Sequence, residues 1–177
     1  ACADEFLTPE SAAICARERA AGRAPVTMAN AERAILARLR AMREEDFAPF
    51  DGGGEGLYHR LYDAVQRETT IDGILAAAKS KRYAYARLRR LLLAAYLGVT
   101  PEDIPQRVPY LRVLACNARG REVLRCMKTT AAAPVLTRSA DVRRLDAAAQ
   151  RLFALTARAE EQYVLAYPSL AAARPGS

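Results

Sequence analysis

The 177-residue chain has no tryptophan, four phenylalanines and a single histidine, His59. One imidazole cannot form a histidine dyad. No nucleophile beside a base and no pair of carboxylates stands out at usable spacing, so no catalytic residue is assigned and a free-standing enzyme is disfavoured. Cys2, Cys15, Cys116 and Cys126 include no CxxC pair, which argues against structural zinc, and no metal is expected. No apolar run approaches the roughly eighteen residues of a membrane span, and no charged-then-apolar leader opens the chain. With thiols expected to be free, this is the pattern of a cytoplasmic protein without a membrane partner. The one low-complexity spot is Asp51-Gly-Gly-Gly-Glu55. It has neither a preceding strand nor the GxxxxGK[ST] spacing, and so reads as a flexible turn rather than a phosphate cradle.

What is present is alanine, leucine and arginine in abundance, half the chain being apolar. These are helix formers, and the length suffices for a real core. The fold class expected is mainly α: a helical bundle carrying a small strand-helix-strand insert with two parallel strands. Thr8-Pro9 starts a helix that turns Ile14 and Cys15 inward. Ala31, Ile35, Leu39 and Met42 repeat at helical spacing, as do Leu57, Leu61, Ala64 and Val65 in a helix from Glu55 to Arg67. His59 on that helix reads as a surface residue. Thr69 caps a short helix bearing Ile71, Ile74 and Leu75. A strand near residues 109–116, a helix from Asn117 and a strand at 134–137 make the insert, residues 109–138. A single helix from Asp141 to Ala166 follows.

Charge is unevenly placed. From Lys79 to Arg144 there are fifteen Lys and Arg against four Asp and Glu, a net +11, and the remainder carries −4. The centre of this block is Lys79-Ser-Lys-Arg-Tyr-Ala-Tyr-Ala-Arg-Leu-Arg-Arg90, which runs straight into leucines. A helix over 81–97, capped by Ser80 and ended by Gly98, puts Ala84, Leu88, Leu91, Leu92 and Ala95 on one stripe. Tyr83, Arg87 and Arg90 then stack on another face. Such a helix begins at a surface and ends in a core. Lys79, Lys81, Arg82, Arg87, Arg89 and Arg90 would neutralise phosphates there, Tyr83 would stack on an exposed base, and Arg112 and Arg119 would extend the surface. The competing reading makes the same helix a scaffold whose arginines pair with acids of another protein domain.

The basic string, Pro109-Tyr-Leu-Arg-Val-Leu-Ala-Cys-Asn117 with Gly120-Arg-Glu-Val-Leu124, Pro134-Val-Leu-Thr137 and Glu55-Gly-Leu57 together resemble the C-terminal region of the tRNA(Met) cytidine acetate ligase family, over most of residues 9–168. The resemblance implies a parent that activates acetate with ATP and acetylates the wobble cytidine of elongator tRNA(Met). It implies RNA as partner for this chain, and ATP as a requirement of the parent alone. No HxGH string is present and the chain opens on Ala1, so the expectation is a piece whose N-terminal HIGH-type catalytic domain is absent and would be a docking partner. The domains are then 1–50, a helical segment leading from that domain, 55–168, the helical C-terminal domain, and 169–177, a frayed tail.

Overall fold

The computed structural model describes residues 6–51 and 56–174. The chain divides into two compact units, Ala1–Pro101 with Ala159–Ser177, and Glu102–Arg158. In the first, the Thr8 hydroxyl accepts from the Ser11 N–H at 3.3 Å and Pro9 opens α1 (Pro9–Ala20), proline being tolerated where an N–H has no helical partner. Ile14 and Cys15 do not turn inward as expected: α1 buries no residue and Ile14 is half exposed. Its apolar residues are mostly alanines, which make no stripe wide enough to drive burial. Glu18 accepts from Arg23 Nε at 2.6 Å and from Arg17 Nε at 3.2 Å, and these guanidiniums hold its carboxyl below the usual carboxylate range.

The core of this unit is made by five elements whose apolar residues recur at helical spacing. α2 (Glu32–Arg40) contributes Ile35 and Leu39. Phe47 enters from a 3₁₀ turn ahead of α3 (Ala48–Asp51). α4 (Leu57–Arg67) buries Leu57, Leu61, Ala64 and Val65, and α5 (Ile71–Ala78) buries Ile71, Ile74, Leu75 and Ala78. α6 (Tyr85–Leu97) adds Leu88, Leu91, Leu92 and Ala95. Eight-residue α5 is too short to persist alone. Its stability comes from burying side chains worth roughly 1.5–3 kcal/mol each. Thr70, rather than Thr69, caps it, its hydroxyl accepting from Gly73 N–H at 3.0 Å.

The basic segment departs from expectation. The helix starts at Tyr85, and Lys79, Lys81, Arg82 and Tyr83 lie ahead of it in a bend in which Ser80 Oγ accepts from Arg82 N–H at 3.3 Å. Tyr83 is the cause. A helix from 81 would carry it on the face of Arg87 and Arg90, away from the leucines, whereas the chain buries it to 4% exposure. Leaving the helix is how that burial is achieved.

In the second unit, β1 (Leu111–Arg112) and β2 (Val135–Leu136) pair in parallel, Leu111 opposite Val135 and Arg112 opposite Leu136. Leu111 N–H donates to the Pro134 carbonyl at 2.8 Å and Val113 N–H to that of Leu136 at 2.9 Å. Between them runs α7 (Ala118–Thr130), capped by Asn117 Oδ1 on Gly120 N–H at 2.9 Å. The long helix expected from Asp141 is instead a 3₁₀ turn, Ser139–Arg144, followed by α8 (Ala147–Val164). Asp146 interrupts it by capping a new start, its Oδ1 accepting from Ala149 N–H at 2.8 Å. A helical bundle with an insert is therefore the wrong description. α7 buries nothing, and Leu136, Leu145 and Ala149 form a separate core beside the parallel pair, with Tyr110, Val142 and Phe153 against it.

The glycine run expected to be a turn, residues 52–54, and Glu55 lie outside the described residues. Near the C-terminus, Leu170–Ala172 forms one turn and Ser169 N–H donates to the Gly22 carbonyl at 3.0 Å, while 175–177 lie outside the description.

Gly22 and Gly98 both sit at positive φ, but a Cβ on Gly22 would meet Ser169 Cβ at 2.5 Å, and one on Gly98 would meet nothing within 4 Å. Gly98→Ala should lower the urea midpoint through the left-handed penalty alone, about 1 kcal/mol. Gly22→Ala should accelerate exchange of the Ser169 amide with little change in midpoint, because α1 buries nothing.

Candidate nucleic-acid interface

The cationic side chains fall into two groups, one in each unit. In the first unit they straddle the bend and the opening turns of α6. Lys79 Nζ donates to the Ser80 carbonyl at 2.5 Å and lies 5.7 Å from the Tyr85 ring centroid. Lys81, Arg82, Arg89 and Arg90 are exposed. Lys81, Arg89 and Arg90 make no ion pair with another described residue. Tyr85 and Arg89, four residues apart, share one face of the helix. The exposed tyrosine is thus Tyr85, at 44%, and not Tyr83, whose ring lies in the core and is not placed to stack on a base. Sequence pattern missed Tyr85 because it assumed that the helix began before it.

Arg87 is already engaged. Its Cζ lies 5.3 Å from the Tyr83 ring centroid, and its Nη2 is 3.7 Å from Oδ1 of Asp51, whose side chain is 1% exposed. Asp51 Oδ2 accepts from the Leu57 N–H at 3.0 Å and the Tyr58 N–H at 3.3 Å, the first turn of α4. Oδ1 has no hydrogen bond. At 3.7 Å the guanidinium gives it coulombic contact and not a hydrogen bond. His59, the sole imidazole, is exposed, stacked on Tyr58 and paired through Nδ1 with Glu44 Oε1.

Arg112 and Arg119 belong to the second unit, so the residues singled out as one surface do not fall in a single unit. Arg112 projects over the Phe153 ring, Cζ to centroid 5.3 Å. Arg119 is exposed in the first turn of α7. The Gly120 N–H of that turn is taken by Asn117 Oδ1. Charge divides sharply between the units. Glu102–Arg158 holds eleven Lys and Arg against five Asp and Glu, a net +6, whereas the rest of the chain holds sixteen against fifteen, a net +1. The run from Lys79 to Arg144 straddles this boundary, and its excess divides almost evenly, +6 before Glu102 and +5 from Glu102 onward. Among the described residues, no group of three His, Cys, Asp or Glu could hold a metal ion, and no helix is long and apolar enough to cross a membrane.

A family model described as HIGH Nucleotidyl Transferase matches residues 2–175, and the chain belongs to that family. Among its relatives is the tRNA(Met) cytidine acetate ligase of Syntrophomonas wolfei, 27% identical over 179 residues, 96% of this chain and 43% of that protein. The protein of the same name from Kosmotoga olearia is 36% identical over 131 residues, 72% of this chain and 31% of the relative. Thermotoga maritima TmcAL in its apo form superposes with a TM-score of 0.88 at 26% identity, over 95% of this chain and 43% of that one. The same protein bound with alpha-thio ATP gives 0.88 and 26%, over 95% and 44%. The chain spans less than half the length of these relatives.

These matches correct two expectations. The HIGH nucleotidyltransferase is not absent from this chain: the family's own model runs through residues 2–175, and the expected missing HIGH-type partner domain is not supported. The absence of one HxGH string misled because a family is carried by residues along the whole length. The fold class is likewise that of this nucleotidyltransferase family, with the parallel pair integral to it, and not a mainly α bundle with an insert.

Asp51→Ala should destabilise the first unit by about 3 kcal/mol, since it strips the α4 N-terminus of the acceptor for two backbone N–H groups. Arg87→Ala should cost about 1 kcal/mol. In a double-mutant cycle read by urea unfolding, the coupling should stay below about 1 kcal/mol, because Arg87 is partly exposed and Oδ1 lies too far for a hydrogen bond.

Proposed function

We propose that the chain serves a tRNA(Met) cytidine acetate ligase, acting in the cytoplasm and contributing surface that holds tRNA by its phosphates. The observation that carries this is the exposed set Lys81, Arg82, Arg89 and Arg90 on a chain whose relatives bear that name. Lys79 and Tyr85 join this group, which offers point charges, forked guanidiniums and one aromatic face to a sugar-phosphate chain. The net +6 of Glu102–Arg158, with Arg112 and Arg119 in it, supplies a second phosphate-binding surface. Phosphate contacts set affinity and register. They do not choose among tRNAs, so selection of elongator tRNA(Met) rests on further base contacts.

ATP is the substrate that the whole ligase requires, and TmcAL of Thermotoga maritima has been crystallised with alpha-thio ATP. The sole histidine is exposed and paired with Glu44, and no other imidazole is available to hold phosphates. No step of adenylation is therefore assigned to a side chain here.

The scaffold reading gains support at two residues only. Buried Tyr83 and Asp51-paired Arg87 have structural work within the first unit. The two roles separate in one experiment. In fluorescence anisotropy with elongator tRNA(Met) at several salt concentrations, Arg89→Ala with Arg90→Ala should weaken binding and reduce the magnitude of the log–log salt slope by about 1.4–1.8, two phosphate equivalents. Arg87→Ala should lower stability and leave the slope unchanged. An unchanged slope in the Arg89/Arg90 variant would remove this face from the RNA interface.

A further inference from the structure

The two parallel strands end on the same side of their pair, and a cavity of about 220 Å³ opens there. At about 30 Å³ per water that is room for roughly seven, the scale of a phosphate with its sugar rather than of a whole dinucleotide. In open α/β sheets, ligands gather outside the carboxyl ends of parallel strands.

The residues brought there have one character. Alternation along β1 sets Tyr110 and Arg112 on one face, and the register places Arg112 opposite Leu136. That face is covered by Phe153, whose ring lies 6.1 Å from Tyr110 and 5.3 Å from the Arg112 Cζ. The chain leaving β2 supplies Thr137, Arg138 and Ser139 to the cavity wall. Arg138 has an extended backbone and a 75% exposed side chain, and its Nη2 stands 3.6 Å from Asp141 Oδ1. No carboxylate lines the cavity, in contrast to the pocket at the start of α8, which has Glu102, Asp103 and Asp146 in its wall. Leu114, 82% exposed, completes the rim. Two guanidiniums, two hydroxyls and the exposed apolar Leu114, with Asp141 pairing Arg138 from outside the cavity wall, match a phosphate joined to a flat apolar group.

We infer that the cavity at the carboxyl ends of β1 and β2 is a nucleotide subsite. It takes the phosphodiester of one unpaired RNA nucleotide on Arg112 and Arg138, with the Thr137 and Ser139 hydroxyls donating to its oxygens and the base or ribose lying against Leu114. This rests on the RNA reading above and adds a discrete binding position to it. Arg112 matters through its forked geometry as well as its charge, because contact with the Phe153 ring orients the guanidinium plane.

The test is titration of the ¹⁵N-labelled chain with the single-stranded trinucleotide rCrCrC, with CMP and with inorganic phosphate. The trinucleotide should produce saturable shifts at the amides of Val113, Thr137, Arg138 and Ser139, with affinity above that for CMP or phosphate. Arg112→Ala should reduce that affinity about tenfold or more, and Arg112→Lys should not restore it. Arg138→Ala, at a position too exposed to disturb the core, should show a loss of the same sign. Arg33→Ala, at an exposed position of α2 outside both basic groups, should bind the trinucleotide as wild type does. Shifts that avoid the cavity, full binding by Arg112→Lys, or equal affinity for free phosphate and trinucleotide would each overturn the assignment. If whole tRNA binds with a salt slope sensitive to Arg89 and Arg90 but not to Arg112 or Arg138, the subsite fails and the RNA reading stands. If tRNA does not bind at all, both fail.

Discussion

One carboxylate holds together the part of the chain from which the basic helix emerges. Asp51 is the sole polar or charged residue found buried among the described residues. Two backbone N–H groups at the start of α4 donate to one of its oxygens, and the guanidinium of Arg87 from α6 stands 3.7 Å from the other. Burying a charge without such partners costs several kcal/mol. Hydrogen bonds to a charged acceptor return roughly 1.5–3 kcal/mol each, and a negative group at a helix N-terminus also meets the positive end of its dipole. So α3, α4 and α6 converge on one group. The consequence for function is direct: one arginine of the basic string serves the fold, and the outward cationic face begins with its neighbours Arg89 and Arg90.

The legible parts of the fold were those governed by local pattern. The stripes Leu57-Leu61-Ala64-Val65 and Ile71-Ile74-Leu75 are buried as their spacing requires, and the Thr8-Pro9 start and the strand-helix-strand order are found where the residues place them. What was not legible depended on partners far along the chain. Nothing near Tyr83 announces that its ring enters a core built from α2, α4 and α5, yet that burial moves the helix start to Tyr85 and exchanges which tyrosine is exposed. Arg87 finds its carboxylate thirty-six positions away, beyond the reach of any helical period. The helix expected from Asn117 is present, but it carries Val123, Leu124 and Met127 without burying any of them.

Charge shows the same difference between string and structure. A run of cations looked like one patch centred on a helix, but the unit boundary at Pro101 passes through it, leaving a nearly neutral first unit and a second with +6. Two surfaces follow, differing in kind. The opening of α6 offers side chains from a helix and a bend, suited to tracking a backbone. The second unit offers a concave site at strand ends, where arginine, hydroxyl and apolar groups meet around a volume fit for one nucleotide's phosphate and sugar. Under the reading proposed above, a ligase acting on a single base of tRNA would hold the surrounding strand while that base is presented, and a phosphate-tracking face with a discrete subsite suits that task.

The most direct measurement is a map of ultraviolet crosslinks between elongator tRNA(Met) carrying 4-thiouridine and this chain, read by mass spectrometry of the joined peptides. The account predicts crosslinks in residues 79–90 and again in 110–139. Crosslinks confined to α1 and α2, with both basic groups untouched, would contradict it.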